Sequence, residues 1–275
     1  MTAGLGERDG VPSPRVVGVI PARMAASRFP GKPLHPILGV PMLEHVIRRA
    51  EMYEHWDCLT LATCDEEIRI FARGMGISCV MTGNHHVRAL DRVAEAYESI
   101  VSSDVLGGGP NDDDVVVCVQ GDEPMMRADM VEAVVAPLLA DPGVPATVLA
   151  MHIVDEGIWR NPDTVKLISN EVGEVLYTSR APIPHGREGF SPELLARRIY
   201  GIFAFRWRHL RAFTEHEETR LEREESCDSN RILDMGFRQV IAPYPHLDSF
   251  AVDSPEDALL VEQHMVDDPV WASYR

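Results

Sequence analysis

The sequence predicts a doubly wound, mostly parallel α/β sheet with a small β-hairpin lobe. Three observations predict it. Short apolar runs alternate with segments of helical spacing as far as Ile153, the rhythm of a parallel sheet with crossover helices. After Ile153 that rhythm breaks, and two short runs flank Gly173. The first apolar run, residues 16–20, passes straight into a loop carrying Arg23, Arg28, Gly31 and Lys32, where an open parallel sheet presents its ligand-binding loop.

The elements follow in order. Residues 1–14 are rich in Gly, Pro and charge and are expected to be a disordered tail. The strand at 16–20 and its loop lead to a helix over 41–53, with Pro41 in its first turn. A strand at Cys58–Thr63 precedes a short helix over 66–73 closed by Gly74, and a third strand is expected at 77–80. Leu90, Val93, Ala94, Tyr97, Ile100 and Val101 have helical spacing. Loop 107–114 introduces the continuous apolar strand Val115–Val119. Val131, Val134, Val135 and Leu138 mark another helix, and 146–153 another strand. Residues 165–168 and 175–178 form the hairpin, 182–193 a polar loop and 200–205 a strand. Helical stretches at Trp207–Glu215 and 220–235 come next, and 239–242 returns to the sheet. Ser254-Pro255-Glu256-Asp257 caps the last helix, with Ser at the cap, Pro at the first position and an acid three residues on. Residues 15–275 thus read as a single domain, with 155–205 as the lobe.

Composition narrows the function. At 275 residues the chain can bury a full core, and 45% apolar with 25% charged residues is ordinary for a globular protein. A net charge of −17 with no broad basic face argues against a nucleic-acid partner. The five cysteines show no metal-ligand spacing, and Cys58, Cys79 and Cys118 read as small buried hydrophobes. Residues 1–14 lack the apolar centre of a signal peptide, and no run approaches the roughly 18 apolar residues that span a bilayer. A cytoplasmic protein with no membrane partner is expected.

Arg23, Arg28 and Lys32 can converge on a triphosphate, because a planar guanidinium fork and an ammonium point charge both suit phosphate oxygens. A plain solvated basic loop is the alternative. Asp122 stands just past Val115–Val119, at the carboxyl end of the sheet, with Gly121 admitting close backbone approach and Pro124 stiffening the exit. Its alternative is a solvated acid at a strand end, and Glu123 reads as structural. Asp253 also lies between a strand and a helix cap, where a plain capping acid is the alternative.

Residues 20–34, Ile-Pro-Ala-Arg-Met-Ala-Ala-Ser-Arg-Phe-Pro-Gly-Lys-Pro-Leu, are followed in register by further motifs. These are Met81-Thr82, Val119-Gln120-Gly121-Asp122-Glu123-Pro124, Asn161-Pro162-Asp163-Thr164-Val165-Lys166, Leu176-Tyr177-Thr178-Ser179-Arg180 and Val252-Asp253-Ser254-Pro255-Glu256-Asp257. Over roughly residues 15–266 the chain resembles the sugar nucleotidyltransferases that activate acidic sugars with CTP. It is most similar to the 3-deoxy-manno-octulosonate cytidylyltransferase (CMP-Kdo synthetase) family. The resemblance implies a Rossmann-like nucleotidyltransferase fold and transfer of CMP from CTP to an acid, with release of pyrophosphate. Such a reaction needs positioning and charge neutralisation more than covalent help from the protein. It implies that Ala22, Arg23, Arg28, Lys32 and Gln120 meet the nucleotide, with Arg23, Lys32 and Asp122 in catalytic roles. Asp122 and Asp253 match the family's metal-binding aspartates, so Mg²⁺ is the expected cofactor. Gln120, Lys166 and Arg180 match residues at the acceptor, although Lys166 and Arg180 could equally be surface charges on the hairpin. A homodimer in contact through 155–205 is also implied.

The acceptor motifs diverge. Where the family reads H-Q-S-G-T-E-R, this chain has His86-Val87-Arg88-Ala89-Leu90-Asp91-Arg92. Where it reads H-L-G-I-Y-G-Y-R, the chain has Ile199-Tyr200-Gly201-Ile202-Phe203-Ala204-Phe205-Arg206, and E-x-x-E-Q becomes Glu225-Ser226-Cys227-Asp228-Ser229. Hydroxyl-reading groups are lost at Ile199, Phe203 and Phe205, and a buried hydroxyl without a partner is costly. His85, His86, Arg88, His185 and Arg187 add cationic capacity. This pattern predicts a small, highly charged acid such as phosphonoformate, held by His86 and Arg88. The alternatives are ordinary CMP-Kdo synthesis and a catalytically idle nucleotide-binding protein. Retention of both aspartates and all three cations counts against the idle protein.

Overall fold

The computed structural model describes residues 13–25, 28–103 and 105–275, and all but two residues of the expected tail lie outside them. In chain order the elements are β1 (Val16–Pro21), β2 (Pro36–Ile37), β3 (Val40–Pro41), α1 (Met42–Glu51), β4 (Cys58–Thr63), α2 (Glu66–Met75), β5 (Ser78–Met81) and α3 (Ala89–Ser102). Then come β6 (Val115–Val119), α4 (Ala128–Ala140), β7 (Ala146–His152), α5 (Glu156–Arg160), β8 (Lys166–Ser169), β9 (Val175–Ser179) and β10 (Arg197–Arg206). The chain closes with α6 (Trp207–Glu215), α7 (Arg220–Glu225), α8 (Asp228–Asp234), β11 (Val240–Tyr244), α9 (Pro255–Met265) and α10 (Pro269–Ala272).

The main sheet has the order β11-β7-β10-β6-β1-β4-β5, with β8 paired to β10 and β9 to β8. β1 is parallel to β4 and β6, β4 to β5, and β11 to β7. β10 runs antiparallel between β6 and β7. The continuous apolar runs are explained by position: β1 and β6 are central and covered on both faces, so every side chain must be apolar or small. From β1 the chain goes first to β4 and β5 on one side and then to β6 on the other. The crevice between the carboxyl ends of β1 and β6 is therefore the topological switch point.

Helices α1, α2 and α4 cover one face through residues such as Leu43, Ile47, Ile68, Val131 and Leu138. Helices α3, α6 and α8 cover the other through Leu90, Val93, Tyr97, Leu210, Phe213 and Ile232. A smaller cluster seats α9 on the β2–β3 sheet through Ile37, Val252, Val261 and Met265.

Several expectations are corrected. α2 continues through Gly74 and ends on Gly76, whose φ of 77° is the left-handed closing conformation that glycine adopts without strain. The stretch at 220–235 is two helices, broken at Ser226 with φ 49°. The sheets β2–β3 and the short helices α5 and α10 were not expected from the sequence. β10 begins three residues early, at Arg197. Strand alternation turns Tyr200, Ile202 and Ala204 to one core and Phe203 and Phe205 to the other. Phe203 and Phe205 are thus packing residues, each worth about 1.5–3 kcal/mol of burial, and neither stands at an acceptor site. Of the cysteines expected to be buried, Cys118 is, whereas Cys58 and Cys79 are half-buried. Among the described residues no helix is long and apolar enough to cross a membrane.

Candidate active site

Two cavities meet at the carboxyl ends of β1 and β6. The first, of about 370 Å³, occupies the switch point and is lined by Ala22, Arg23, Lys32, Gly121 and His86 among others. The second, of about 680 Å³, lies on the β10 side against Glu123, Arg198, Ile199 and Gly201. Arg28, Gln120, Asp122 and Asp253 line both.

Local structure explains the convergence. The loop after β1 is turned back by Gly31, with φ 79° and its N–H donating to the Met24 carbonyl at 3.0 Å. That turn starts a short 3₁₀ helix, Lys32–Leu34, and aims Lys32 inward. Gly121 is required by contact: a Cβ there would lie 2.8 Å from the Pro21 carbonyl oxygen, so the loops after β1 and β6 touch backbone to backbone. The Val252 N–H donates to the Asp122 carbonyl at 2.9 Å and draws the chain before α9 alongside. At the start of α9, Ser254 and Asp257 form the capping box. Asp257 also accepts from the Asp253 N–H at 3.0 Å, so capping does not use the Asp253 carboxylate.

The result is a charge cluster. The Lys32 ammonium donates to Asp122 Oδ2 at 2.9 Å, to the Val252 carbonyl at 2.7 Å and to Asp253 Oδ1 at 3.3 Å. Burial works against that ammonium, but Asp122 and then Asp253 outweigh it and raise its pKa. Arg28 pairs with Asp253 at 2.9 Å and lies 3.7 Å from Asp163. Arg23 is exposed on the rim of the first cavity, and the Ala22 N–H is committed to the Ala62 carbonyl at 2.9 Å. Among the described residues no three His, Cys, Asp or Glu side chains are gathered for a metal. Asp122 and Asp253 with a cation already between them nevertheless fit a hard ion such as Mg²⁺. That ion takes one or two carboxylates and completes its shell with phosphate and water.

The residues expected to hold the acceptor are dispersed. Gln120 stands on the wall between the cavities, its N–H bonded to the Gly201 carbonyl at 2.9 Å. His86 and Arg88 line the first cavity. The His86 ring pairs with Glu95. Arg88 pairs with Glu218 and lies 3.6 Å from both Glu222 and Asp228. Burial opposes its charge, yet these three acids raise its pKa, so Arg88 is not an open anion site. Lys166 and Arg180 line neither cavity. Lys166 is fully buried, and its ammonium donates to the carbonyls of Asn161, Thr164 and Arg180 at 2.6–2.7 Å. Burial and the nearby Arg180 charge pull its pKa down to about 8. Arg180 donates to the carbonyls of Pro162 and Glu225 at 2.8 Å and of Ser226 at 3.2 Å. The Glu225 carboxylate, which sequence comparison placed at the sugar, accepts instead from Tyr177, Ser179 and the Arg180 N–H. These groups brace the wall at 161–165 from behind, so their service to the cavity is indirect. Of the divergent positions 199, 203 and 205, Ile199 alone lines the second cavity.

Two residues on that cavity were missed. Glu123, expected to be structural, is 5% exposed; burial, and secondarily the Asp122 charge, push its pKa up to about 7. Arg198 is buried with its guanidinium donating to the Ser249 carbonyl at 2.7 Å and stacked 5.5 Å from the Tyr200 ring. The available signal was a charged pair, Arg197-Arg198, opening an otherwise apolar strand.

A doubly wound sheet whose switch point carries a basic loop and a cation-bridged carboxylate pair defines an enzyme of the nucleotidyltransferase class. Residues 17–239 match the family described as cytidylyltransferase, and the chain belongs to that family. It is 41% identical over 242 residues to the 3-deoxy-manno-octulosonate cytidylyltransferase of Nitratidesulfovibrio vulgaris (strain DP4), covering 87% of this chain and 92% of that one. It is 37% identical to the protein of the same description from Syntrophus aciditrophicus (strain SB), covering 88% and 94%. Among solved structures it is similar to CMP:2-keto-3-deoxy-manno-octonic acid synthetase complexed with CTP. That match has a TM-score of 0.81 and 30% identity over 92% of this chain and 98% of that one. A 4-diphosphocytidyl-2C-methyl-D-erythritol synthase shares the fold, with a TM-score of 0.60 and 13% identity over 91% and 99% of the chains.

Proposed function

We propose that the chain transfers CMP from CTP to 3-deoxy-manno-octulosonate or a closely similar hydroxylated 2-keto acid, releasing pyrophosphate. The observation that carries this reading is the second cavity. It opens onto the same Asp122, Asp253 and Arg28 as the switch-point cleft, and at about 680 Å³ it has room for an eight-carbon acid. The identity of 36–41% over about nine-tenths of the chain to relatives described as acting on that acid supports it. The compact phosphonate acid loses its support. Arg88 is neutralised by three carboxylates, His86 and Arg88 lie on the nucleotide side, and Phe203 and Phe205 are core.

In this reading CTP lies in the switch-point cleft, with Ala22 and Gln120 along its walls. Arg23, Arg28 and Lys32 hold phosphate oxygens. An acceptor hydroxyl oxygen, approaching from the second cavity past Gln120, bonds to the α-phosphorus as the bond to the pyrophosphate oxygen breaks, and the hydroxyl proton passes to water. Both substrates are oriented by walls that the sheet fixes, which is where most of the rate would come from. Mg²⁺ held by Asp122 and Asp253 would neutralise developing phosphate charge. A second copy of the chain is the proposed partner. Among the described residues β9, within 155–205, pairs in the sheet with β8, its first N–H, from Val175, donates to the Gln239 carbonyl at 2.8 Å, and Leu176 beyond it is exposed.

Pyrophosphate release from CTP across a panel of acids tests the acceptor. The octulosonic acid should support turnover and phosphonoformate should not; the reverse preference refutes the reading. Pyrophosphate–CTP isotope exchange separates an enzyme from an idle binder. Asp122→Asn and Asp253→Asn should each lower turnover about 100-fold or more, the scale of losing one electrostatic stabiliser. Near-normal turnover by both variants in EDTA would remove the metal.

A further inference from the structure

Glu123 presents an unmet need at the acceptor cavity. Its backbone follows Asp122 in the turn after β6, and its side chain passes under β10. A Cβ on Gly201 would lie 2.9 Å from Glu123 Cγ, so the strand backbone rests directly on the glutamate stem. Glu123 Oε1 accepts the Gly201 N–H at 3.2 Å. Oε2 is buried and meets no hydrogen-bond partner among the described residues, and the residue lines the second cavity. Of the polar groups around it, Arg198 Nη2 donates to the Ser249 carbonyl at 2.7 Å, and the Tyr200 hydroxyl, paired with Ser249 Oγ at 2.7 Å, has a single proton to share between that oxygen and Glu123. A carboxylate oxygen taken out of water without a partner is costly, and native proteins leave few of them. The cost is rational if a ligand supplies the missing donor.

We infer that Glu123 Oε2 accepts a hydrogen bond from a hydroxyl of the acceptor acid and selects hydroxylated acids over those that lack that group. Arg198 lines the same cavity, so its fixed positive charge faces the same space and offsets the buried carboxylate. Gly201 belongs to the device, because its N–H and its missing side chain fix which carboxylate oxygen is left over. Discrimination of this kind is strong because an acid lacking the hydroxyl leaves Oε2 unpaired in the complex as well.

The inference rests on the proposed acceptor, and its test separates the two. The full-length enzyme is assayed by pyrophosphate release with the octulosonic acid and its single-deoxy analogues, alongside the KM for CTP and thermal melting. In the wild type, one deoxy analogue should lose about tenfold in kcat/KM, the scale of one hydrogen bond to a charged group. In Glu123→Met the parent acid should fall to the level of that analogue, while the KM for CTP is unchanged. Glu123→Gln keeps the shape and should show a reduced ratio, and it carries the comparison if the Met variant does not fold. A variant that melts lower but keeps the wild-type ratio between acids assigns Glu123 a packing role, with the Tyr200 hydroxyl as its partner, and overturns the inference. A wild type that turns over no hydroxylated acid refutes the acceptor reading, and this inference with it, before any variant is made. An active wild type with unchanged variant ratios refutes the inference alone.

Discussion

At the scale of single residues, Lys32 shows how burial changes an expectation. A lysine in a loop should be removable at little cost to the fold. Here its ammonium holds two carboxylates and a carbonyl together with a side chain only 13% exposed. Lys32→Ala should therefore raise the KM for CTP and also lower stability by about 1–3 kcal/mol, since Asp122 and Asp253 are left facing each other. Added Mg²⁺ should restore part of that loss in thermal melts; an unchanged melting temperature with and without Mg²⁺ would contradict this account. The meeting of Arg23, Arg28, Lys32, Asp122 and Asp253 at one cleft was legible because each sits in a short motif at a strand end. The surroundings of Glu123, Arg88 and Lys166 were harder to read. The partner of Glu123 is Gly201, 78 positions away, and that of Arg88 is Glu218, 130 positions away. Lys166 binds main-chain carbonyls, which leave no trace in side-chain identity.

At the scale of elements, the continuous apolar strands were legible because burial on both faces leaves no choice of residue. Cys58–Thr63 and Val115–Val119 fall where expected. Boundaries were less legible where two signals compete. Gly74 lies inside α2 because Gly76 is the glycine in the left-handed conformation. The charged start of β10 hides a strand that there pairs with β7 and β8. α5 and α10 are single turns whose caps, Asp155 and Asp268, accept local N–H groups, too short a pattern to read by periodicity. The contact between the loops after β1 and β6 yields a prediction at this scale. Gly121→Ala should force those backbones apart and shift Asp122. A stability loss of about 1–3 kcal/mol should accompany a fall in kcat, read by denaturant melts and turnover. Wild-type values for both would show that the loops are not in contact.

At the scale of the molecule, a chain of net charge −17 keeps its active-site charges in local pairs, so the overall sign says little about the site. The acids around Arg88 exact a cost that depends on pH. Burial pushes Asp228 from 3.8 up to about 6, with Arg88 pulling the other way. A raised carboxyl pKa favours the folded state while the group is protonated. That advantage is full below about pH 4 and is lost as the pH rises through 6, because the unfolded chain ionises first. Asp228→Asn should flatten stability against pH between about 4 and 6, the wild type losing at most about 3 kcal/mol relative to the variant. Parallel slopes in urea melts at the two ends of that range would reject the assignment.

The three carbonyls bound by Lys166 come from two separate stretches, the turn before β8 and the end of β9. Freeing either stretch alone would strand an ammonium in the interior or leave carbonyl oxygens dry. The hairpin and the turn over 161–164 therefore have no cheap partial opening: they come loose together as one cooperative unit or not at all. The far wall of the second cavity, at 161–165, inherits that all-or-none behaviour and is held in shape without a covalent bond.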